Sequence, residues 1–103
     1  MSVSDVVDIP SSGDATDNDD VTVGSVVVTL LEANPGRKSA LIINTGPEAM
    51  RVTTDGSDPS PTHGKLVSAG GALTLSSPYY PTKEVLAIRQ ADADTTANAS
   101  EVD

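Results

Sequence analysis

Apolar residues along this chain come in short runs of period two, closed by Gly, Pro, Asn or Asp, and no stretch carries the three-to-four spacing of an amphipathic helix. The longest β-favouring run covers residues 21–31 and is interrupted at Gly24, which predicts a bulge or bend. Asn34-Pro35-Gly36 then joins a proline with preset φ to a glycine free to take φ > 0, the chemistry of a type II turn. Residues 39–44 form an apolar strand that Asn44-Thr45-Gly46-Pro47 stops. In residues 49–54 the alternation puts Met50, Val52 and Thr54 on one face and Ala49, Arg51 and Thr53 on the other. Residues 54–61 read as a loop.

A brief strand at 65–68 leads through Gly70-Gly71 into a strand at 72–76, whose Leu73 and Leu75 point the same way. Ser77-Pro78-Tyr79-Tyr80-Pro81 is a stiff loop, residues 84–90 alternate with Leu86 and Ile88 inward, and residues 95–102 close as a weak, polar strand. About seven to eight short strands at roughly ten-residue spacing predict an all-β fold, a single small antiparallel β-sandwich or barrel.

Ahead of that domain, residues 1–20 hold an extended arm with Val3, Val6, Val7 and Ile9, then a polar, acidic linker over 11–20 whose one apolar residue is Ala15. The expected organisation is therefore 1–20 as arm and linker and 21–103 as the β domain. With 103 residues there is room for one modest core. Phe and Trp are absent and Tyr and Met number two each, so that core draws on Val, Leu, Ile and Ala, which carry less area per side chain than aromatics. So thin a core favours association with further copies or with a larger surface.

The chain has no cysteine, which excludes disulfides and thiolate metal sites. No run approaches the roughly 18 apolar residues of a membrane-spanning helix, and no secretory pattern opens the sequence, so synthesis in the cytoplasm is expected. A net charge of −9, with the six bases scattered apart from Arg37-Lys38, argues against nucleic acid as a partner. No amphipathic helix suggests a membrane surface either.

Candidate chemistry is sparse. The acidic run from Asp14 to Asp20, and Asp55 with Asp58, have the oxygen-rich character that calcium takes, but the first lacks the mid-loop glycine and distal glutamate of an EF-hand. The plainer reading is solvated charge and ordinary turn residues. His63 is the sole histidine, no serine sits in a Gly-x-Ser-x-Gly elbow, and Gly70-Gly71 is not followed by the Lys-Ser/Thr of a phosphate loop. No catalytic, cofactor or metal site is expected, and the chain does not read as an enzyme. Asn98-Ala99-Ser100 matches a glycosylation sequon, without meaning where no secretion signal accompanies it. Tyr79 and Tyr80, framed by prolines, could form a platform for a sugar or protein, or cover the edge of an aromatic-poor core.

Residues 21–90 resemble small β-sandwich virion proteins of tailed bacteriophages. Thr22-Val23-Gly24 matches their "TVG" opening, residues 33–37 their "ANP-[GN]-R" turn, and residues 41–46 their "LIxNTG" strand end. The variable loop of residues 51–61, Leu73-Thr74-Leu75 and, more loosely, Leu86-Ala87-Ile88 follow the same pattern, whereas the acidic N-terminal extension stands outside it. The resemblance implies a virion structural protein. Foremost is a capsid decoration (cement) protein that binds the major capsid protein on the outer shell and stabilises it, as a homotrimer. The alternatives are a minor head-tail accessory protein or a carbohydrate- or receptor-binding module of a tail or fibre. The residues expected to meet a partner are Val3, Val6, Val7 and Ile9, by strand addition, and Tyr79 and Tyr80.

Overall fold

A computed structural model describes residues 15–76 and 82–103. The described residues form nine strands and no helix: β1 (Ala15–Asp17), β2 (Val21–Val23), β3 (Val28–Leu31), β4 (Ser39–Asn44), β5 (Met50–Thr53), β6 (Lys65–Val67), β7 (Ala72–Leu75), β8 (Val85–Arg89) and β9 (Thr95–Val102). One sheet has the order β1-β9-β4-β7, with β2 also paired to β9, and the other has the order β3-β8-β5-β6. Every pairing is antiparallel. The fold is thus an all-β sandwich, its two sheets packed over side chains such as Val23, Leu31, Ile42, Met50, Val52, Leu75 and Val85.

The turn chemistry explains how the chain changes sheets. The run of residues 21–31 is divided at Gly24, with β2 in one sheet and β3 in the other. The Gly24 carbonyl accepts the Arg89 N–H at 3.0 Å, tying the crossing to β8. Asn34-Pro35-Gly36 makes the next crossing, but not as a type II turn. Positive φ among the described residues is confined to Gly56, Gly64 and Gly70. The Asn34 carbonyl accepts the Arg37 N–H at 3.0 Å, while its side-chain Oδ1 accepts the Gly36 N–H at 3.0 Å. That Asx turn holds Gly36 without left-handed backbone.

Three other expectations change. Residues 95–102, read as a weak closing strand, form the longest strand, on which β1, β2 and β4 all pair. Thr95, Ala97 and Ala99 are buried, and Ala97 and Ala99 belong to the core. In β8 the inward residues are Val85 and Ala87, which belong to the core, rather than Leu86 and Ile88. Leu86 is buried on the opposite face, in register between Thr29 and Thr53. Val-Leu-Ala-Ile is apolar at every position, so alternation could not tell the faces of this central strand apart. Within the acidic stretch read as linker, Ala15–Asp17 pairs with Ser100, Glu101 and Val102 as an edge strand.

Each end of β4 is closed by one buried polar side chain. At its far end Asn44 donates from Nδ2 to the carbonyls of Glu48 (2.6 Å) and Val67 (2.9 Å), and accepts at Oδ1 from Gly46 N–H (3.1 Å) and Thr95 Oγ1 (2.7 Å). Those four bonds exhaust the amide's capacity. Just before β4 lies Arg37, whose environment positions the candidate site.

Candidate functional site

Arg37 is 1 % exposed, in a class of residue that is rarely buried without a partner. Its Nε donates to Glu101 Oε1 at 2.8 Å, Nη1 to the Lys83 carbonyl at 3.0 Å, and Nη2 to the Glu32 carbonyl at 2.7 Å. Glu32 follows β3, Lys83 precedes β8 and Glu101 lies in β9, so one guanidinium fork ties both sheets where the chain passes between them. Asn34 supports it, donating from Nδ2 to the same Glu101 oxygen at 3.3 Å and from its backbone N–H to the Thr82 carbonyl at 2.7 Å. Lys38 N–H donates to the Val102 carbonyl at 2.6 Å.

Register shows what else gathers at this pole. Ala15 lies opposite Val102, Val102 opposite Ser39, Ala40 opposite Leu75, and Leu31 opposite Val85. The chain therefore enters the described fold here after residue 14, and leaves and re-enters it here around residues 77–81. Val3, Val6, Val7, Ile9, Tyr79 and Tyr80 all lie outside the described residues. The two segments that carry them nevertheless join the sandwich at the same end, above the Arg37 pin.

The loop between β5 and β6 starts at this pole as well. The Ser57 hydroxyl donates to Asp55 Oδ1 at 2.6 Å and lies 3.1 Å from His63 Nε2, while Ser57 N–H donates to the same carboxylate oxygen at 3.0 Å. The Ser57 hydroxyl and then its N–H hold the Asp55 carboxyl below the usual Asp range, with a smaller contribution from His63. Val52, Thr53, Thr54, Gly64 and Lys65 complete the walls of an adjoining cleft of about 340 Å³. A nucleophilic relay needs the carboxylate behind the histidine, so that the imidazole can take the serine proton. Here the carboxylate sits on the serine instead. The trio clamps a loop, and Arg51 fastens that loop further by donating to the carbonyls of Pro61 (3.1 Å) and Gly64 (3.1 Å).

Among the described residues no group of three or more His, Cys, Asp or Glu side chains is placed to hold a metal ion. Asp20 accepts from Thr45 Oγ1 (3.3 Å) and Asn98 Nδ2 (3.0 Å), and so braces β9 to its neighbours. Asn98 Nδ2 also donates to the Asn18 carbonyl at 2.7 Å, engaging the sequon amide within the fold. No helix of the described residues is long and apolar enough to cross a membrane.

Sequence reasoning missed Arg37, Asn34 and Glu101 as a unit. Asn34 and Arg37 stood in the turn that carries the resemblance, but nothing local marks a guanidinium for burial. Its carboxylate partner lies 64 positions away. Comparison of the chain with protein-family models, characterised proteins and solved structures finds no match.

Proposed function

We propose that this chain is a binding module of a tailed-phage virion, a capsid decoration protein that sits on the outer shell as a homotrimer and contacts the major capsid protein. The observation that carries the reading is the Arg37 pole. The turn on which the resemblance to small virion sandwiches rests is also the turn that pins both sheets together. From that pole depart the two segments, 1–14 and 77–81, that contain the apolar and aromatic contact candidates. A rigid sandwich offering chain segments from one end suits attachment to a large surface, because main-chain hydrogen bonds of an added strand supply affinity without a preformed pocket. The net charge of −9 keeps free copies apart in solution.

Quantitative mass spectrometry of purified particles of the source virus tests the proposal. A copy number equal to that of the major capsid protein, or a simple fraction of it, is the expected result. A handful of copies per particle would move the chain to the neck or tail and favour receptor binding through Tyr79 and Tyr80. Absence from particles would end the virion reading.

A further inference from the structure

Among the described residues the buried polar side chains are Arg37, Asn44, Thr53, Thr54 and Thr95. Arg37, Asn44, Thr53 and Thr95 are each hydrogen-bonded, Thr53 through its hydroxyl to the Ser57 carbonyl. Thr54, 3 % exposed, is the exception, for its hydroxyl has no hydrogen-bond partner among the described residues. A hydroxyl taken out of water and left unpaired carries its full desolvation cost, and in native structures such a group marks a place for water or a ligand.

Thr54 lines the cleft of about 340 Å³ beside the Asp55–Ser57–His63 clamp, a volume within the range of small-molecule pockets. Register places Val52 opposite Lys65, so these two share a face, and Thr54 stands two positions beyond Val52 in the same wall. The polar groups that meet there differ in what they offer. Ser57 engages Asp55 through Oδ1, which leaves Oδ2 to accept. Lys65 is exposed, enters no ion pair with a described residue, and only donates. The Thr54 hydroxyl does both. A cationic ligand would face Lys65 and an anionic one Asp55, so the paired charges disfavour a net charge of either sign. A zwitterion answers both charges but gives up the hydration of two ions to do so. A neutral polyol escapes the conflict, because each of its hydroxyls can donate to the carboxylate, accept from the ammonium or pair with Thr54.

We propose that this cleft binds a neutral sugar unit of monosaccharide size, whose hydroxyls bond to Asp55 Oδ2, Lys65 Nζ and the buried Thr54 Oγ1. The Ser57 clamp holds the Asp55 carboxylate in place for that purpose, with the His63 ring closing one side. The site uses neither the Tyr79–Tyr80 pair nor residues 1–14, and it does not depend on the virion reading.

Titration of the full ¹⁵N-labelled chain with D-glucose, D-galactose, D-mannose and N-acetyl-D-glucosamine, with glycine and acetate as charged controls, tests the assignment. At least one sugar is expected to shift the amides of Thr54, Asp55, Gly64 and Lys65 saturably, with a dissociation constant on the order of millimolar, while glycine and acetate leave them unmoved. Thr54→Val removes the hydroxyl at nearly constant volume and should weaken that binding by about fivefold or more, as loss of one hydrogen bond does. Its melting temperature should not fall, because the free protein loses no bond. Lys65→Met, at an exposed position, should weaken the binding as well and tests the site independently of Thr54. No saturable shift with any of the four sugars would leave the cleft to water alone and overturn the proposal. So would a response to glycine or acetate in place of the sugars, or unchanged sugar affinity in Thr54→Val and Lys65→Met.

Discussion

Arg37 and Asn44 stand at opposite ends of the same strand, both buried and both polar, yet they close their ends of the sandwich by different physics. Asn44 is neutral and spends its four hydrogen bonds on Glu48 and Gly46 in the turn that follows it, on Val67 in β6 of the opposite sheet and on Thr95 in β9. Arg37 brings a charge into the interior, and its carboxylate partner Glu101 keeps a side-chain exposure of 16 %. The Asn44 end also joins both sheets, but through neutral groups alone. The Arg37 end is tied by one cation to strands of both sheets, and it is there that residues 1–14 and 77–81 attach. Both poles are thus held by a multidentate side chain, and they differ in that one carries a charge that needs its carboxylate partner while the other is satisfied by neutral groups.

The comparison is tested most severely by removing the pin. Arg37→Ala leaves the Glu101 carboxylate and the carbonyls of Glu32 and Lys83 without their shared donor, and should cost about 3–5 kcal/mol, as loss of one partner of a buried pair does. Arg37→Lys keeps the charge but not the fork, and is expected to recover only part of that. Urea unfolding of both variants measures the difference. Equal, small losses would mean that the guanidinium merely fills space.

At the other pole the weak point is steric. A Cβ on Gly46 would run into Thr95 Oγ1 and the Thr96 backbone N–H, and backbone cannot move aside as the tip of a flexible side chain can. Gly46→Ala should therefore cost about 3 kcal/mol, at the upper end of overpacking effects. Thr95→Val is milder. It strips the Asn44 Oδ1 of its hydroxyl donor but leaves the Gly46 N–H in place, for about 1–2 kcal/mol. For a domain of this size that lowers the melting temperature by several degrees, roughly 4–8 °C per kcal/mol. A Thr95→Val variant as unstable as Gly46→Ala would show that the polar network, not close packing, holds this end.

How legible each pole was in the sequence follows from the same contrast. Turns declare themselves through Asn, Pro and Gly, so both ends of β4 could be placed, and the alternation of residues 49–54 put Met50 and Val52 on one face, the one the fold buries. What stayed hidden were partners distant in sequence. Asn44 read as a strand stop, but its bond to Thr95 spans 51 positions. Arg37 read only as half of the one adjacent basic pair, because burial of a guanidinium depends on a Glu101 that lies in a strand read as weak. Ala97 and Ala99 have little β-preference or apolar area of their own, and Thr95 favours strands but is polar. Their value appears only when β1, β2 and β4 pair alongside them, where context overrides propensity.

The smallest effect separates the poles by their response to acid. Asp55, on the loop that starts at the Arg37 end, titrates below the usual Asp range because the Ser57 hydroxyl and N–H bind its ionised form. A carboxyl depressed in the folded state favours folding above its unfolded pKa, and that contribution disappears as pH falls through the lower, folded value. Acidification through and below the ordinary carboxylate range should therefore release this loop first. The Asn44 network, built from an amide, a hydroxyl and backbone groups, has no member to protonate there. Titration of side-chain carboxyl carbons by NMR should find Asp55 below its ordinary range in the native chain and shifted upward in Ser57→Ala, while the side-chain amide of Asn44 keeps its hydrogen-bonded shift across the same interval. If Ser57→Ala leaves the Asp55 midpoint in place, the Asp55–Ser57–His63 clamp does not hold the loop, and the contrast between the two ends reduces to that of their buried side chains.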